Sequence, residues 1–162
     1  EGSDRLIIPG VGAFGPAMEH LESQRRAIAE HAAAGRPLLG ICLGQQLLQD
    51  SSEEGPGVPG LGLIPGVVRY LPKDGVKVPH VGWNSLEVTE CSRLLDGLEP
   101  GSQVYYVHSL VTEVDARHVA AWSTHGVRFA AALEQGNVMA TQFHPEKSGE
   151  VGLQILRNFL TW

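Results

Sequence analysis

Gly40-Ile41-Cys42-Leu43-Gly44-Gln45-Gln46 is the stretch that decides the fold, because one cysteine stands between two glycines where an apolar run gives way to a helical pattern. Residues 37–41 are typical of a short buried strand, and the leucines that follow fall on one side of a helix. A nucleophile between small residues at a strand-to-helix turn is the pattern of a nucleophile elbow. A helix N-terminus also favours thiolate over thiol. The pattern therefore predicts that Cys42 is a nucleophile rather than a small buried hydrophobic residue.

The elements before Cys42 predict a β-α-β unit. Residues 6–8 are an apolar run ended by Pro-Gly, which indicates a buried parallel strand. A helix follows, with Pro16 near its first turn and Gly35 just beyond its end. The strand at residues 38–41 completes the unit, for which a right-handed crossover is expected. Since ligands bind at the carboxyl ends of such strands, Cys42 and the turn after the first strand should meet.

The rest of the chain is expected to add strands and a final helix. Residues 55–66 are rich in Gly and Pro and predict a surface loop. Strands are predicted at residues 67–71, 86–88, 104–107, 119–122, 129–133 and 138–143, with a hairpin turn at 135–137. A last helix should open near Ser148, with an apolar stripe of Val151, Ile155, Leu156, Phe159 and Leu160. Residues 1–162 are interpreted as one domain.

Composition excludes several classes of function. The 162 residues are 43% hydrophobic and 19% charged, which is typical of a globular domain. A net charge of −6 without a Lys/Arg cluster argues against nucleic-acid binding, and no apolar run approaches the roughly 20 residues of a membrane helix. With two cysteines there is no disulfide framework, so a cytoplasmic location is expected and Cys91 is expected to be inert. No pattern indicates a metal or cofactor.

A cysteine nucleophile needs a base and a group that orients it. His144 lies in Gln-Phe-His-Pro-Glu at the end of an apolar strand. In extended backbone, residues two apart project to the same side, so His144 and Glu146 should point the same way. The sequence therefore predicts a Cys42-His144-Glu146 triad in which the carboxylate orients the imidazole. Solvated or structural roles are predicted for His20, His31, His118 and His125.

An oxyanion site is the third requirement. The turn containing Gly10, Val11 and Gly12 has glycines that allow positive φ, so a peptide N–H could face the pocket. The N–H of Leu43, directly after the nucleophile, is the other expected donor.

Three stretches together resemble the class I glutamine amidotransferases that use a Cys-His-Glu triad: residues 9–14, 40–46 and 144–148. The resemblance implies an α/β, flavodoxin-like three-layer fold with a mostly parallel central sheet. Residues 60–66, 79–84 and 105–109 are more narrowly similar to the glutaminase subunits of imidazole glycerol phosphate synthases. The triad motifs alone would not separate these from anthranilate, carbamoyl phosphate or pyridoxal phosphate synthase glutaminases. The Gly-Trp-Asn segment and the lysine after His-Pro-Glu favour the first.

This resemblance implies hydrolysis of L-glutamine and delivery of ammonia to a cyclase subunit with a (β/α)8 barrel, as a heterodimer in histidine biosynthesis. The positions that would hold the amino-acid end of the substrate are Gln46 and Glu54. The stretch that would receive its carboxylate is His108, Ser109 and Leu110. The positions at the interface with the cyclase would be Trp83, Tyr105 and Lys147.

Other classes of function remain open, and the sequence differs from the family pattern in one respect. A non-catalytic scaffolding subunit and a thiol hydrolase of γ-glutamyl peptides are the other function classes considered. The family has a strand–helix–strand stretch ahead of Leu6, roughly 35–40 residues at ordinary element lengths, which suggests a partial sequence here. Without that stretch, the neighbouring strands at residues 6–8 and 38–41 are expected to be exposed to water.

Overall fold

The computed structural model describes residues 3–73, 75–89 and 92–162. The strands are β1 Leu6–Ile8, β2 Leu38–Ile41, β3 Ser51–Ser52, β4 Gly66–Tyr70, β5 His80–Ser85, β6 Glu87–Val88, β7 Gln103–His108, β8 Leu110–Val114, β9 Val119–His125, β10 Val127–Gln135 and β11 Val138–Thr141. The helices are α1 Phe14–Leu21, α2 Arg25–Ala33, α3 Leu43–Leu47 and α4 Gly149–Leu160. Single 3-10 turns lie at Glu22–Gln24, Ala116–His118 and Pro145–Lys147.

The main sheet has the strand order β1-β2-β11-β10-β9-β6 within the described residues. Its first three strands are parallel, with Leu38 opposite both Leu6 and Val138. The remaining pairs are antiparallel, so the sheet is mixed and its parallel part carries β2 between β1 and β11. The carboxyl ends of β2 and β11 therefore lie side by side, which brings Cys42 and His144 to the same edge of the sheet.

Helices cover both faces of this sheet and form a three-layer α/β fold, as expected. On one face α1, α2 and α3 bury Phe14, Ile28 and Leu47 against the sheet. On the other face α4 buries Ile155 and Phe159 in a second apolar cluster. Successive residues of β2 point to opposite faces and enter different clusters, which is the period-two alternation of a strand covered on both sides.

Some predicted elements differ from those observed. The helix expected between Pro16 and Gly35 is two helices, α1 and α2, joined by a 3-10 turn. Residues of this turn are not buried, so no core contact favours a continuous helix there. The apolar stripe predicted for α4 holds for Ile155 and Phe159, but Leu160 is 58% exposed at the end of the helix.

Three strands were not among those predicted: the two-residue β3, β5 and β8. β5 pairs with β7, and β8 pairs with β4, in separate small sheets. In β5 the alternation is obscured by Gly82, which has φ +132°. The predicted strand at residues 86–88 lies in β6, whereas the prediction of an inert Cys91 falls outside the described residues.

The expected exposure at the edge of the sheet is found at one residue and not at β2. β1 is the edge strand, and Ile7 is 41% exposed. The expectation is wrong for β2, where Leu38 and Leu39 are fully buried because β1 and β11 flank the strand and helices cover it. Among the described helices, none combines the length and apolar character needed to cross a bilayer.

Candidate active site

Cys42 lies in a sharp turn between β2 and α3. Its φ of +55° is the only positive φ at a non-glycine position among the described residues. A Cβ at Gly44 would lie 1.8 Å from the carbonyl oxygen of Ile8, and one at Gly40 would lie 2.6 Å from that of Gly44. Both glycines are thus required by close backbone contact, and the elbow geometry expected from the sequence is confirmed. Strain of this kind collects at functional positions.

The Cys42 thiol is buried and its acidity differs from the expectation. Burial raises the pKa of the thiol to about 11, although the Leu43 N–H acts in the opposite direction. The sulfur lies 3.9 Å from the Val107 carbonyl oxygen, a weak contact through which the thiol donates, and 3.7 Å from Nε2 of Gln142, which donates to it. The N–H at the helix N-terminus therefore favours the thiolate as predicted, but desolvation outweighs it and the net pKa is raised.

His144 and Glu146 meet as predicted, through a different backbone shape. Nδ1 of His144 lies 2.7 Å from Oε1 of Glu146. The backbone is extended only at His144, since Pro145–Lys147 form a 3-10 turn rather than a continued strand. Because a carboxylate only accepts, Nδ1 donates to it, and in the neutral imidazole the lone pair then lies on Nε2. That atom is buried and has no hydrogen-bond partner among residues 3–73, 75–89 and 92–162.

The predicted substrate residues share one pocket of about 380 Å³, a size typical of small-molecule sites. The predicted residues that line it are Val11, Gly12, Cys42, Leu43, Gln46, Glu54, His108, Ser109 and Leu110. His144 and Glu146 line a neighbouring pocket with Gly10, and Val11 borders both. Cys42 therefore shares a pocket with the predicted substrate residues. His144 lines the neighbouring pocket, with Val11 bordering both, and makes no hydrogen bond to the sulfur among the described residues.

The glycine turn departs from the expectation at one position. Gly12 has φ +113°, a conformation that favours glycine, but Gly10 does not have a positive φ. Gly10 is instead limited by space, because a Cβ there would lie 3.1 Å from Cβ of Leu43. Val11 between them is 80% exposed. The turn is thus pressed against the residue after the nucleophile and is open to solvent at its tip.

Gln46 and Glu54 make contacts that the sequence did not indicate. Oε2 of Glu54 accepts the N–H of Phe14 at 2.8 Å and so ties the pocket wall to the first turn of α1. Nε2 of Gln46 donates to Oε1 of Gln142 at 3.2 Å. Gln142 itself was missed, although it precedes His144 by two residues and the same alternation rule would have placed it on the side of the site.

A chain of histidines fixes the segment from His108 to Leu110. Nδ1 of His108 lies 2.7 Å from the Leu110 carbonyl oxygen and must donate to it, so Nε2 of His108 accepts from Nδ1 of His80 at 2.9 Å. His125 stacks on His80 at 4.0 Å between ring centroids. Burial lowers the pKa of both His80 and His108 to about 4, and neighbouring histidines add to this effect.

This chain predicts a loss of stability in mild acid. Histidines with a native pKa near 4 and an unfolded value of 6.5 favour the folded state above pH 6.5, and that contribution is lost as the pH falls towards 4. The free energy of unfolding, measured with urea, should fall between pH 7 and pH 5 by roughly 2 kcal/mol for each of the two histidines. His80→Asn should reduce this slope, whereas the exposed control His20→Asn should retain it. A flat profile in the wild-type chain would contradict the assignment.

Trp83 and Tyr105 face each other across β5 and β7. Their rings lie 6.0 Å apart, and Trp83 is 56% exposed. Val81 and Val107 occupy the next pair on the same face, at 53% and 37% exposure. The backbone of Tyr105 accepts the His144 N–H at 2.9 Å, and Lys147 is exposed on the adjoining turn. The three predicted interface residues therefore border the same side of the molecule as the candidate site.

Comparison with known proteins identifies the family of the chain and supports its fold. The sequence-family model of the class I glutamine amidotransferases matches residues 1–162 of this chain. A solved glutamine amidotransferase has a TM-score of 0.73 at 23% identity, covering 99% of this chain and 79% of that one. The PurLQS structure from Thermotoga maritima has a TM-score of 0.70 at 22% identity, covering 98% and 79%. The chain belongs to the class I glutamine amidotransferases.

Sequence relatives narrow the family to one kind of subunit. The imidazole glycerol phosphate synthase subunit HisH of Methanothermobacter thermautotrophicus is 52% identical over 160 residues, which cover 99% of this chain and 80% of the relative. HisH of Bacillus cereus is 50% identical, covering 97% and 76%. Imidazole glycerol phosphate synthase hisHF of Arabidopsis thaliana, described as chloroplastic, is 48% identical over 98% of this chain and 28% of its own length. Within the class, the similarity is thus to HisH subunits.

Proposed function

We propose that the chain is the glutaminase subunit of a cytoplasmic imidazole glycerol phosphate synthase, hydrolysing L-glutamine to glutamate and ammonia through Cys42, His144 and Glu146. The observation that carries the proposal is the hydrogen bonding of the two ring nitrogens of His144. Its Nδ1 is held by Glu146, and its buried Nε2 is left without a partner within the described residues. A buried base with an unused lone pair, at the strand end beside the elbow, is the group that a protonated thiol requires.

The proposed reaction starts with proton transfer from the Cys42 thiol to Nε2 of His144, since a thiol with a pKa near 11 is not ionised at neutral pH. This step needs the sulfur to turn from the Val107 carbonyl towards the imidazole. The thiolate then attacks the carboxamide carbon of glutamine. The oxyanion would be held by the Leu43 N–H and the turn at Gly10, Val11 and Gly12.

His144 then gives its proton to the departing amine, which leaves as ammonia and produces a γ-glutamyl thioester on Cys42. Water, deprotonated by the same imidazole, attacks the thioester and releases glutamate. Glu146 keeps the imidazole in the tautomer with Nε2 facing the reaction and stabilises the imidazolium. The atoms balance as one glutamine and one water giving glutamate and ammonia.

Substrate orientation follows from the pocket. The amino-acid end would lie between Gln46 and Glu54, where the carboxylate of Glu54 attracts the ammonium group. The substrate carboxylate would lie against the stretch from His108 to Leu110, which the histidine chain holds in place. These assignments put the side-chain amide of glutamine next to Cys42.

The partner proposed is a cyclase subunit with a (β/α)8 barrel, in a one-to-one complex. The exposed apolar face formed by Val81, Trp83, Tyr105 and Val107, with Lys147 beside it, offers a surface of the mixed character usual for protein interfaces. The plant relative matches over 28% of its length, which leaves space for a second catalytic unit in the same chain. The names of the relatives favour this synthase over other class I amidotransferases.

The test is glutamate production by the purified chain, alone and after addition of the cyclase subunit of one of the HisH relatives. We expect turnover that rises with the cyclase, and covalent labelling of Cys42 by a glutamine analogue, located by peptide mass spectrometry. Failure of labelling under both conditions would favour a scaffolding subunit. Labelling and turnover that do not respond to the cyclase would instead favour another amidotransferase.

A further inference from the structure

Gln142 is a fully buried amide that contacts both Cys42 and Gln46. Its Nε2 lies 3.7 Å from Sγ of Cys42 and donates to it, and its Oε1 accepts from Nε2 of Gln46 at 3.2 Å. Its backbone N–H donates to the Ala131 carbonyl oxygen at 2.8 Å. Every polar group named here has a partner, so the side chain is held at both ends rather than merely packed.

The orientation of this amide follows from its partners. Gln46 presents an N–H to Gln142, which needs an oxygen there, and the amide nitrogen of Gln142 is therefore turned towards the sulfur. With Gln46 in its present orientation, a flipped Gln142 amide would place two N–H groups against each other and remove the donor from Cys42. Gln46 also lines the pocket beside Cys42, so the substrate position and the sulfur are joined through one side chain.

We propose that Gln142 is a positioning residue for the nucleophile: its amide N–H donates to the sulfur and stabilises the thiolate, and Gln46 holds that amide in the donating orientation. The proposal rests on the nucleophile role of Cys42 given under Proposed function. An N–H that donates to sulfur favours the charged form, whereas the surrounding burial disfavours it. Gln142 thus offsets part of the desolvation that raises the pKa of the thiol.

Gln45, which precedes Gln46 in α3, provides a matched control. It is also fully buried, and its Nε2 donates to the Thr112 hydroxyl at 3.0 Å. It makes no hydrogen bond to the Cys42 sulfur within the described residues. Gln45→Met therefore removes a buried glutamine of the same size from the same region without removing the proposed donor.

The experiment measures the rate of alkylation of Cys42 by iodoacetamide from pH 7.5 to 9.5, which reports the thiolate and does not require turnover. Peptide mass spectrometry separates Cys42 from Cys91. Gln142→Met should slow alkylation of Cys42 about tenfold, the effect of one hydrogen bond of ordinary strength. Gln142→Glu, of nearly the same shape, should slow it further at the alkaline end of this range, where the ionised carboxylate cannot donate and repels the thiolate. Gln45→Met should keep the wild-type rate.

Gln46→Met provides a second test, because it leaves Gln142 in place but removes the hydrogen bond that holds its amide in the donating orientation. We expect a smaller decrease, three- to fivefold, and thermal unfolding of each variant identifies any that are not folded. Equal alkylation rates in folded wild-type, Gln142→Glu and Gln46→Met chains would overturn the proposal, while glutamine hydrolysis by the wild-type chain would stand. Slowed alkylation in a chain without glutaminase activity would support the positioning role and count against the proposed function alone.

Discussion

Replacing Cys42 by alanine is expected to lower the rate of glutamine hydrolysis by at least about 10⁴-fold, because the proposed γ-glutamyl thioester cannot form without the sulfur. The neighbouring His108 is not a substitute, since its Nδ1 donates to the Leu110 carbonyl and its Nε2 accepts from His80. Serine at position 42 should behave almost as alanine does, because an alcohol beside this imidazole is a far weaker nucleophile than a thiolate.

The measurement is the rate of glutamate formation in the presence of the cyclase. Glutamine is supplied at a saturating concentration, well above KM, so that the kcat values of the variant and the wild type are compared. Cys91→Ala is the matched control, and retention of activity there would agree with the inert role predicted from the sequence. Binding to the cyclase should be unchanged in Cys42→Ala, because the buried sulfur is not part of the exposed Trp83 face. Turnover near the wild-type rate in Cys42→Ala would exclude the nucleophile assignment.

The sequence predicted the parts of the site that depend on local geometry. Two glycines around Cys42 indicated close backbone contact, and the structure contains it at Gly40 and Gly44. The pairing of His144 with Glu146 was predicted from an extended segment, yet the contact forms through a 3-10 turn. Short sequence separation made this prediction robust, because two residues so close in the chain can meet in more than one backbone conformation.

Properties that depend on long-range packing were not predictable in the same way. The net acidity of Cys42 is set by burial, which arises from strands distant in sequence and outweighs the backbone N–H at the helix N-terminus. The donor role of Gln142 depends on Gln46, almost a hundred residues away. By contrast β8 could have been predicted from composition, because Val111, Thr112 and Val114 are β-branched residues that favour strands.

Gly44→Ala is expected to cause the largest loss of stability of any single methyl addition discussed for this chain. The new Cβ would lie 1.8 Å from the Ile8 carbonyl oxygen, and both of those groups belong to backbone held by the sheet and by α3. Neither side has a flexible atom that can move away, so α3 must shift from β1. We expect a decrease of more than about 4 kcal/mol in the free energy of unfolding, beyond the usual range of overpacking.

Gly15→Ala separates this steric effect from the general effect of replacing glycine. A Cβ at Gly15 would meet no atom within 4 Å in the described structure, and the residue lies inside α1 without a positive φ. Alanine there should stabilise the chain by about 0.5–1 kcal/mol, since it lowers the conformational entropy of the unfolded state. Urea unfolding of both variants, compared with the wild type, measures the two changes in the free energy of unfolding. A Gly44→Ala chain as stable as the wild type would mean that β1 and α3 do not approach as closely as the elbow requires, and the placement of Cys42 at the pocket would lose its structural basis.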